Sequence, residues 1–176
     1  MRMTIEGVIM RMSLRNRLLA AATLALCFPA LAGAEPSDAA PTQGTVWLNR
    51  QMAALAERNG GAGWHVTPSG LRWRRIAGDG SGARPGPTDQ VTVHYVGTFA
   101  DGREFDSSIA RGEPITFPLN GVIRGWQEGV ALMGVGDKVE FAIPWQLGYG
   151  AEGKGPIPGG ATLLFTVELL GVEPAG

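Results

Sequence analysis

Apolar positions change their spacing along this chain. In residues 46–59 they recur at three and four, whereas after residue 70 a period of two dominates. Val91, Val93, Tyr95, Gly97 and Phe99 alternate with Thr92, His94, Val96 and Thr98. Val139, Phe141 and Ile143 alternate with Lys138, Glu140 and Ala142, and Leu163, Phe165, Val167 and Leu169 alternate with Thr162, Leu164, Thr166 and Glu168. This period predicts strands of an antiparallel sheet with one face on a core. Asp101-Gly102, between Phe99 and Phe105, predicts a hairpin turn, and residues 134–137 and 148–160 read as loops. Two segments keep a helical period. In residues 46–59, Leu48, Met52 and Leu55 share one face, and Asn59-Gly60-Gly61 suits a left-handed C-terminal turn. That stripe is expected to dock on its own domain, with a dimer contact as the alternative. In residues 125–133, Trp126, Val130 and Met133 form a face expected to lie against the sheet. The pattern predicts an α+β domain, and the 27 glycines and 12 prolines gather between its apolar runs as turns do.

The first 45 residues follow neither period. Arg11, Arg15 and Arg17 precede an apolar run over residues 18–32 that ends in Ala32-Gly33-Ala34, the order of an export signal with cleavage expected after Ala34. The run has 15 residues and contains Pro29, against about 20 needed to span a bilayer core, so no stable membrane span is expected in the mature chain. An uncleaved anchor is the alternative. Met10 and Met12 are alternative starts, and Leu26 is too bulky beside Cys27 for a lipid-anchor signal. Residues 35–45 are rich in Pro, Ser, Asp and Ala and read as a flexible linker. The organisation expected is therefore a signal (1–34), a linker (35–45), a short helix with its connection (46–66) and one domain (67–173), in a periplasmic protein.

Charge and cysteine content narrow the chemistry. Fifteen basic against sixteen acidic residues leave no cationic surface for a phosphate backbone, so nucleic acid is not the expected partner. Cys27 is the one cysteine and falls in the export segment, which excludes a disulfide framework and a thiolate metal cage. The stretch GYGAEGKG at residues 148–155 matches a phosphate-binding loop for seven positions. It then places Gly155 where a magnesium-holding hydroxyl is needed, and Pro156 where a helix should begin. His65 and His94 lack any partner at metal-ligand spacing and read as structural. Asp101 and Glu104 read as turn carboxylates, and Arg72, Arg74 and Arg75 as a solvated strand. Asp106 stands apart: it follows Phe105 and precedes Ser107-Ser108, and alternation would turn one of the pair Phe105 and Asp106 inward. Periodicity alone yields aromatic surface without a nucleophile, a base or a metal set, and so no reaction.

The ordered motifs Thr67-Pro68-Ser69-Gly70-Leu71, Val93-His94-Tyr95-Val96-Gly97, Glu104-Phe105-Asp106-Ser107-Ser108, Val122-Ile123-Arg124-Gly125-Trp126 and Leu147-Gly148-Tyr149-Gly150, with residues 161–170, carry a resemblance. The chain resembles the FKBP-type peptidyl-prolyl cis-trans isomerases, in an exported bacterial form similar to the macrophage-infectivity-potentiator branch. The resemblance implies a curved antiparallel sheet wrapped around one short helix, no cofactor, and proline-containing unfolded or nascent exported polypeptides as substrates. It implies that Trp126 floors an apolar pocket walled by Tyr95, Phe105 and Phe165 with Val122 and Ile123. Asp106 would stand at its edge with Arg111 as partner, the Ile123 N–H and the Tyr149 hydroxyl would bind substrate carbonyls, and Ile157 would close over the proline. A non-catalytic periplasmic chaperone using the same pocket is the rival reading. Macrolide inhibitors of the family are implied ligands, although Ile115 replaces an aromatic lining the substrate site, Gly121 an acidic residue and Lys154 a frequent histidine. Gly159-Gly160 predicts a looser end to the long loop, and one short N-terminal helix, in place of a long arm, leaves dimerisation open.

Overall fold

The computed structural model describes residues 44–175. The expected export segment, residues 1–34, and nearly all of the expected linker lie outside the described residues. Nine strands and three α-helices follow in the order α1 (Thr45–Ala56), β1 (His65–Val66), β2 (Arg72–Ala77), β3 (Gln90–Phe99), β4 (Glu104–Ser107), α2 (Ser108–Arg111), β5 (Ile115–Pro118), α3 (Arg124–Val130), β6 (Lys138–Ile143), β7 (Gly153–Lys154), β8 (Ile157–Pro158) and β9 (Leu163–Glu173). The main sheet is antiparallel in the order β1-β2-β6-β9-β3-β4, and β5 shares the outer edge of β3 with β4; β7 and β8 form a separate small hairpin. Both long strands were expected from their period, and their alternation is the burial seen: every second residue is buried from Val91 to Gly97 in β3 and from Leu163 to Leu169 in β9. Val91, Val93, Val139, Ile143, Leu163, Val167 and Leu169 are at most 1% exposed and form the centre of the core.

Helix α3 lies against the buried face of the sheet because its sheet side is made of small residues. A Cβ on Gly125 would come within 2.5 Å of Ile143, and one on Gly129 within 2.6 Å of the Phe141 ring. Close approach seats Trp126, Val130 and Met133 in the core, as their spacing predicted. The turn after α3 is held by a side chain that looked like ordinary loop in the sequence. Asp137 is buried and accepts from the N–H groups of Gly80 (2.9 Å) and Gly134 (2.8 Å), with Arg75 Nε at 3.1 Å. Burial opposes its ionisation, but those N–H groups and the guanidinium outweigh it and hold the carboxyl below its usual range.

The N-terminal helix forms, but its docked face differs from the expected one. Met52 is 68% exposed and Leu48 44%, whereas Gln51 and Ala54 are buried, with Trp47 and Leu55 half-buried beside them. Spacing locates an apolar stripe but not the surface that receives the helix, and here polar Gln51 finds its partner in Thr162, just ahead of β9. Arg72, Arg74 and Arg75 also differ from a freely solvated strand. Each is half-buried and held, to the Gly70 carbonyl, Glu140 and Asp137 respectively. At the Gly159-Gly160 pair the two arms of the long loop come into close contact. A Cβ on Gly159 would lie 1.8 Å from the Ala151 carbonyl oxygen, and the Gly160 N–H, from a residue at φ +71°, closes the neck on Gly150 O at 2.9 Å.

Candidate active site

Trp126 is the centre of an aromatic cup. Its ring meets Tyr95 at 5.3 Å and 90°, Phe165 at 5.2 Å and 87°, and Phe117 at 5.6 Å. Phe105 stands edge-on to Phe165 at 5.5 Å and is backed by Phe99 at 4.9 Å. Edge-to-face contacts set the positive edge of one ring against the negative face of the next, so the cluster has one preferred arrangement. Five elements supply it: β3 gives Tyr95, β4 Phe105, β5 Phe117, β9 Phe165 and α3 Trp126. Gly97 makes room for the Phe105 ring, since a Cβ there would lie 2.8 Å from both Phe105 and Phe165. Tyr95, Trp126 and Phe165 keep only 8%, 5% and 7% of their surface, while Phe105, Val122, Ile123 and Tyr149 around them are half-buried. A nearly dry floor with a partly open rim has the apolar character of a small-group binding site.

One residue more in β4 than in β3 gives the cup its polar edge. Val96 and Gly97 pair with Ser107 and Asp106, but Thr98 pairs with Glu104, which leaves Phe105 as the extra residue of a β-bulge. Strict alternation would have turned one of Phe105 and Asp106 away. The bulge lets both reach the cup. The Tyr95 hydroxyl donates to Asp106 Oδ2, and Arg111 donates through Nη1 to Asp106 Oδ1 and through Nη2 to the Tyr95 oxygen at 3.0 Å. Arg111 is aimed there by α2, whose N-terminus is capped by Ser107 (Ala110 N–H at 3.1 Å) and whose C-terminus turns at Gly112. Burial, then the Asp106 hydrogen bond, pushes the Tyr95 hydroxyl well above its ordinary pKa. Burial tends to lower Arg111, but its bonds to Tyr95 and Asp106 win and raise it. Burial and the Asp106 charge raise Tyr149 as well.

The remaining expected residues fall at different depths. Ile157, on β8, is 4% exposed and part of the core cluster, so its side chain is packed inward and not projecting. Ile115 packs on the core from β5, paired with Val93. Two polar residues that sequence reasoning gave no role support the cup from behind. The Ser108 hydroxyl accepts the Tyr95 N–H (2.8 Å) and donates to the Tyr95 carbonyl (3.3 Å), with His94 Nδ1 at 3.0 Å. The Gln127 amide donates to the Val122 carbonyl at 2.7 Å and fixes the approach to α3. Neither follows a period: Ser108 serves a strand 13 residues away, and Gln127 a carbonyl five residues back, at the entry to its own helix. A separate cleft of about 350 Å3 lies on the far face of the sheet, between the C-terminal end of α1 and strands β2, β3, β6 and β9. Its lining joins the charged Glu57, Arg58, Arg74 and Glu140 to Trp64, over whose ring both guanidiniums lie at 5.5 and 5.0 Å.

Curved antiparallel sheet, short helix in its hollow and aromatic cup with a carboxylate lip together define an FKBP-like α+β domain. The chain belongs to the FKBP-type peptidyl-prolyl cis-trans isomerase family, whose description matches residues 82–170. The FKBP-type peptidyl-prolyl cis-trans isomerase FkpA of Aeromonas hydrophila is 52% identical over 122 residues, covering 69% of this chain and 44% of that protein. The FKBP-type 22 kDa peptidyl-prolyl cis-trans isomerase of Escherichia coli is 54% identical over 109 residues, covering 61% and 52%. A crystal structure of a peptidyl-prolyl cis-trans isomerase from Pseudomonas syringae pv. tomato superposes with a TM-score of 0.67 at 32% identity, covering 77% of this chain and 98% of that one. The chain spans about half the length of the two curated relatives.

Proposed function

We propose that this protein is a peptidyl-prolyl cis-trans isomerase acting on proline-containing exported polypeptides, with the aromatic cup as its proline site. Rotation about an X–Pro bond meets a barrier of about 18–20 kcal/mol, because amide resonance is lost in the twisted state. Water stabilises the charge-separated planar amide, so a dry cup withholds solvent from the ground state and favours the twisted form. In this reading Trp126 is the floor and Tyr95, Phe105 and Phe165 are the walls. Val122 and Ile115 flank the peptide, and Ile157 packs under the loop that covers it. The Ile123 N–H and the Tyr149 hydroxyl would bind carbonyl oxygens on either side of the proline. Asp106, anchored by Tyr95 and Arg111, would present fixed charge to the turned amide without any covalent step. A 10⁴-fold acceleration would ask for about 5.5 kcal/mol of differential binding, within reach of desolvation plus a few hydrogen bonds.

The observation that carries the reading is the polar network at the lip of an otherwise dry cup: Tyr95, Asp106 and Arg111 bonded to one another. Holding an unfolded chain by stickiness alone would have no use for it. The export pattern in residues 1–34 supports a periplasmic location, in which clients are polypeptides that have just crossed a membrane. The test is a protease-coupled assay on an X–Pro tetrapeptide with the chain starting at Glu35. Acceleration that saturates with substrate is expected. No acceleration, together with suppressed aggregation of a proline-free client, would instead favour the chaperone reading.

A further inference from the structure

Gln51 is buried in the middle of α1, an unusual place for an amide, and its partner lies 111 residues away. Its Oε1 accepts the Thr162 N–H at 2.9 Å, and the Thr162 hydroxyl donates back to the Gln51 carbonyl at 3.1 Å. Gln51 is 7% exposed and Thr162 1%, so neither half of this reciprocal clamp has easy access to water. Thr162 is also a junction. On one side β9 begins with Leu163 and reaches the cup wall at Phe165; on the other, Ala161 leads to Gly160, whose N–H closes the loop neck on Gly150. Gly150 follows Tyr149 directly, and the same loop carries the β7–β8 hairpin with Ile157. Fixing Thr162 therefore fixes the stem from which one wall and the 148–161 loop both hang.

We propose that Gln51 is a positioning residue for the substrate pocket: α1 holds the exit stem of the 148–161 loop through the Gln51–Thr162 clamp and thereby sets where Tyr149 meets the substrate. This deepens the isomerase reading and rests on it. Losing the Gln51 amide leaves a buried N–H without its acceptor, and the stem relieves this by opening toward water. Such opening would be local, since the centre of the core does not include Gln51. The expected signature is poorer substrate capture at little change in turnover.

The experiment compares the full chain with Gln51→Ala, Thr162→Val and Thr162→Ser, by tetrapeptide kinetics and by amide hydrogen exchange. Thr162→Val keeps the strand-compatible shape and removes only the hydroxyl half of the clamp; Thr162→Ser restores it. KM is expected to rise about fivefold in Gln51→Ala, the scale of one lost buried hydrogen bond, with kcat within about twofold. Exchange at residues 150–160 should speed by a similar factor, Thr162→Val should fall between, and Thr162→Ser should resemble the parent. Loss of thermal stability in Gln51→Ala and Thr162→Val, with KM and loop exchange unchanged, would overturn the proposal and leave α1 a purely stabilising element. An inactive parent chain would sink the isomerase reading alone. Exchange at residues 150–160 would still decide the clamp: faster supports it, unchanged overturns it.

Discussion

Tyr95 joins the dry and polar halves of the cup. Its ring faces Trp126 and Phe165, and its hydroxyl bridges Asp106 and Arg111. Tyr95→Phe keeps the ring and removes the bridge, so kcat/KM is expected to fall about tenfold, the worth of one charge-assisted hydrogen bond. The same variant has a pH signature. An unfolded tyrosine ionises near pH 10, but burial and the Asp106 bond keep native Tyr95 protonated above that. Past pH about 10 the unfolded chain releases a proton that the native state retains, so stability is full below that point and falls as pH rises toward the native value. Denaturant midpoints measured across that range should fall less steeply in Tyr95→Phe, although Tyr149, also raised, keeps part of the slope. An unchanged slope would mean that the Tyr95 hydroxyl is no harder to ionise folded than unfolded. At this scale Tyr95, Asp106 and Trp126 were legible because they sit in short ordered motifs. Ser108 and Gln127 were not: a hydroxyl or an amide that serves a single backbone group, whether 13 residues away or five, leaves no mark in hydrophobic spacing.

Elements were legible where burial on one face imposes a period. The alternation of β3, β6 and β9 is the burial observed, apart from Ala142, on the outer face of the sheet yet buried, and Phe99, on the inner face yet only half-buried. Two features escaped. The β4 bulge inserts Phe105 without any glycine or proline to announce it. The docked face of α1 is set by what the sheet offers it, and a buried glutamine satisfied by Thr162 reads in the sequence as an ordinary polar position. The seating of α3 shows how an element far from the lip can control it. Gly129 touches Phe141, not the aromatic rings of the cup, but its missing Cβ sets the height of the helix and so of Trp126. Gly129→Ala should lift the helix, destabilise the fold by about 1–3 kcal/mol as overpacking does, and lower kcat/KM without any contact to substrate. Trp126→Ala should lose more stability, about 3–5 kcal/mol. Thermal melts and kinetics on the two variants check the order. Full activity in a destabilised Gly129→Ala would mean that the floor tolerates displacement.

On the scale of the whole molecule, the last strand in sequence is an inner strand in space. β9 lies between β6 and β3, pairing with β3 from Gln90 to Phe99 and with β6 from Lys138 to Ile143. Until β9 arrives, β2-β6 and β3-β4-β5 are two pieces without a shared ladder, and Phe165, Leu163 and Val167 are missing from the core. Pairings at such sequence separation make folding slow relative to helical domains, on the order of milliseconds to seconds. The sheet therefore cannot close before residues 163–173 are in place. This yields a direct test. A chain ending at residue 160 should lack near-ultraviolet dichroism, unfold without a cooperative transition and show no X–Pro acceleration, although Tyr95, Asp106, Trp126 and Tyr149 are all present in it. If that chain instead melted cooperatively, β2-β6 and β3-β4-β5 would have to cohere through α3 alone, and completion of the fold would no longer depend on the last strand.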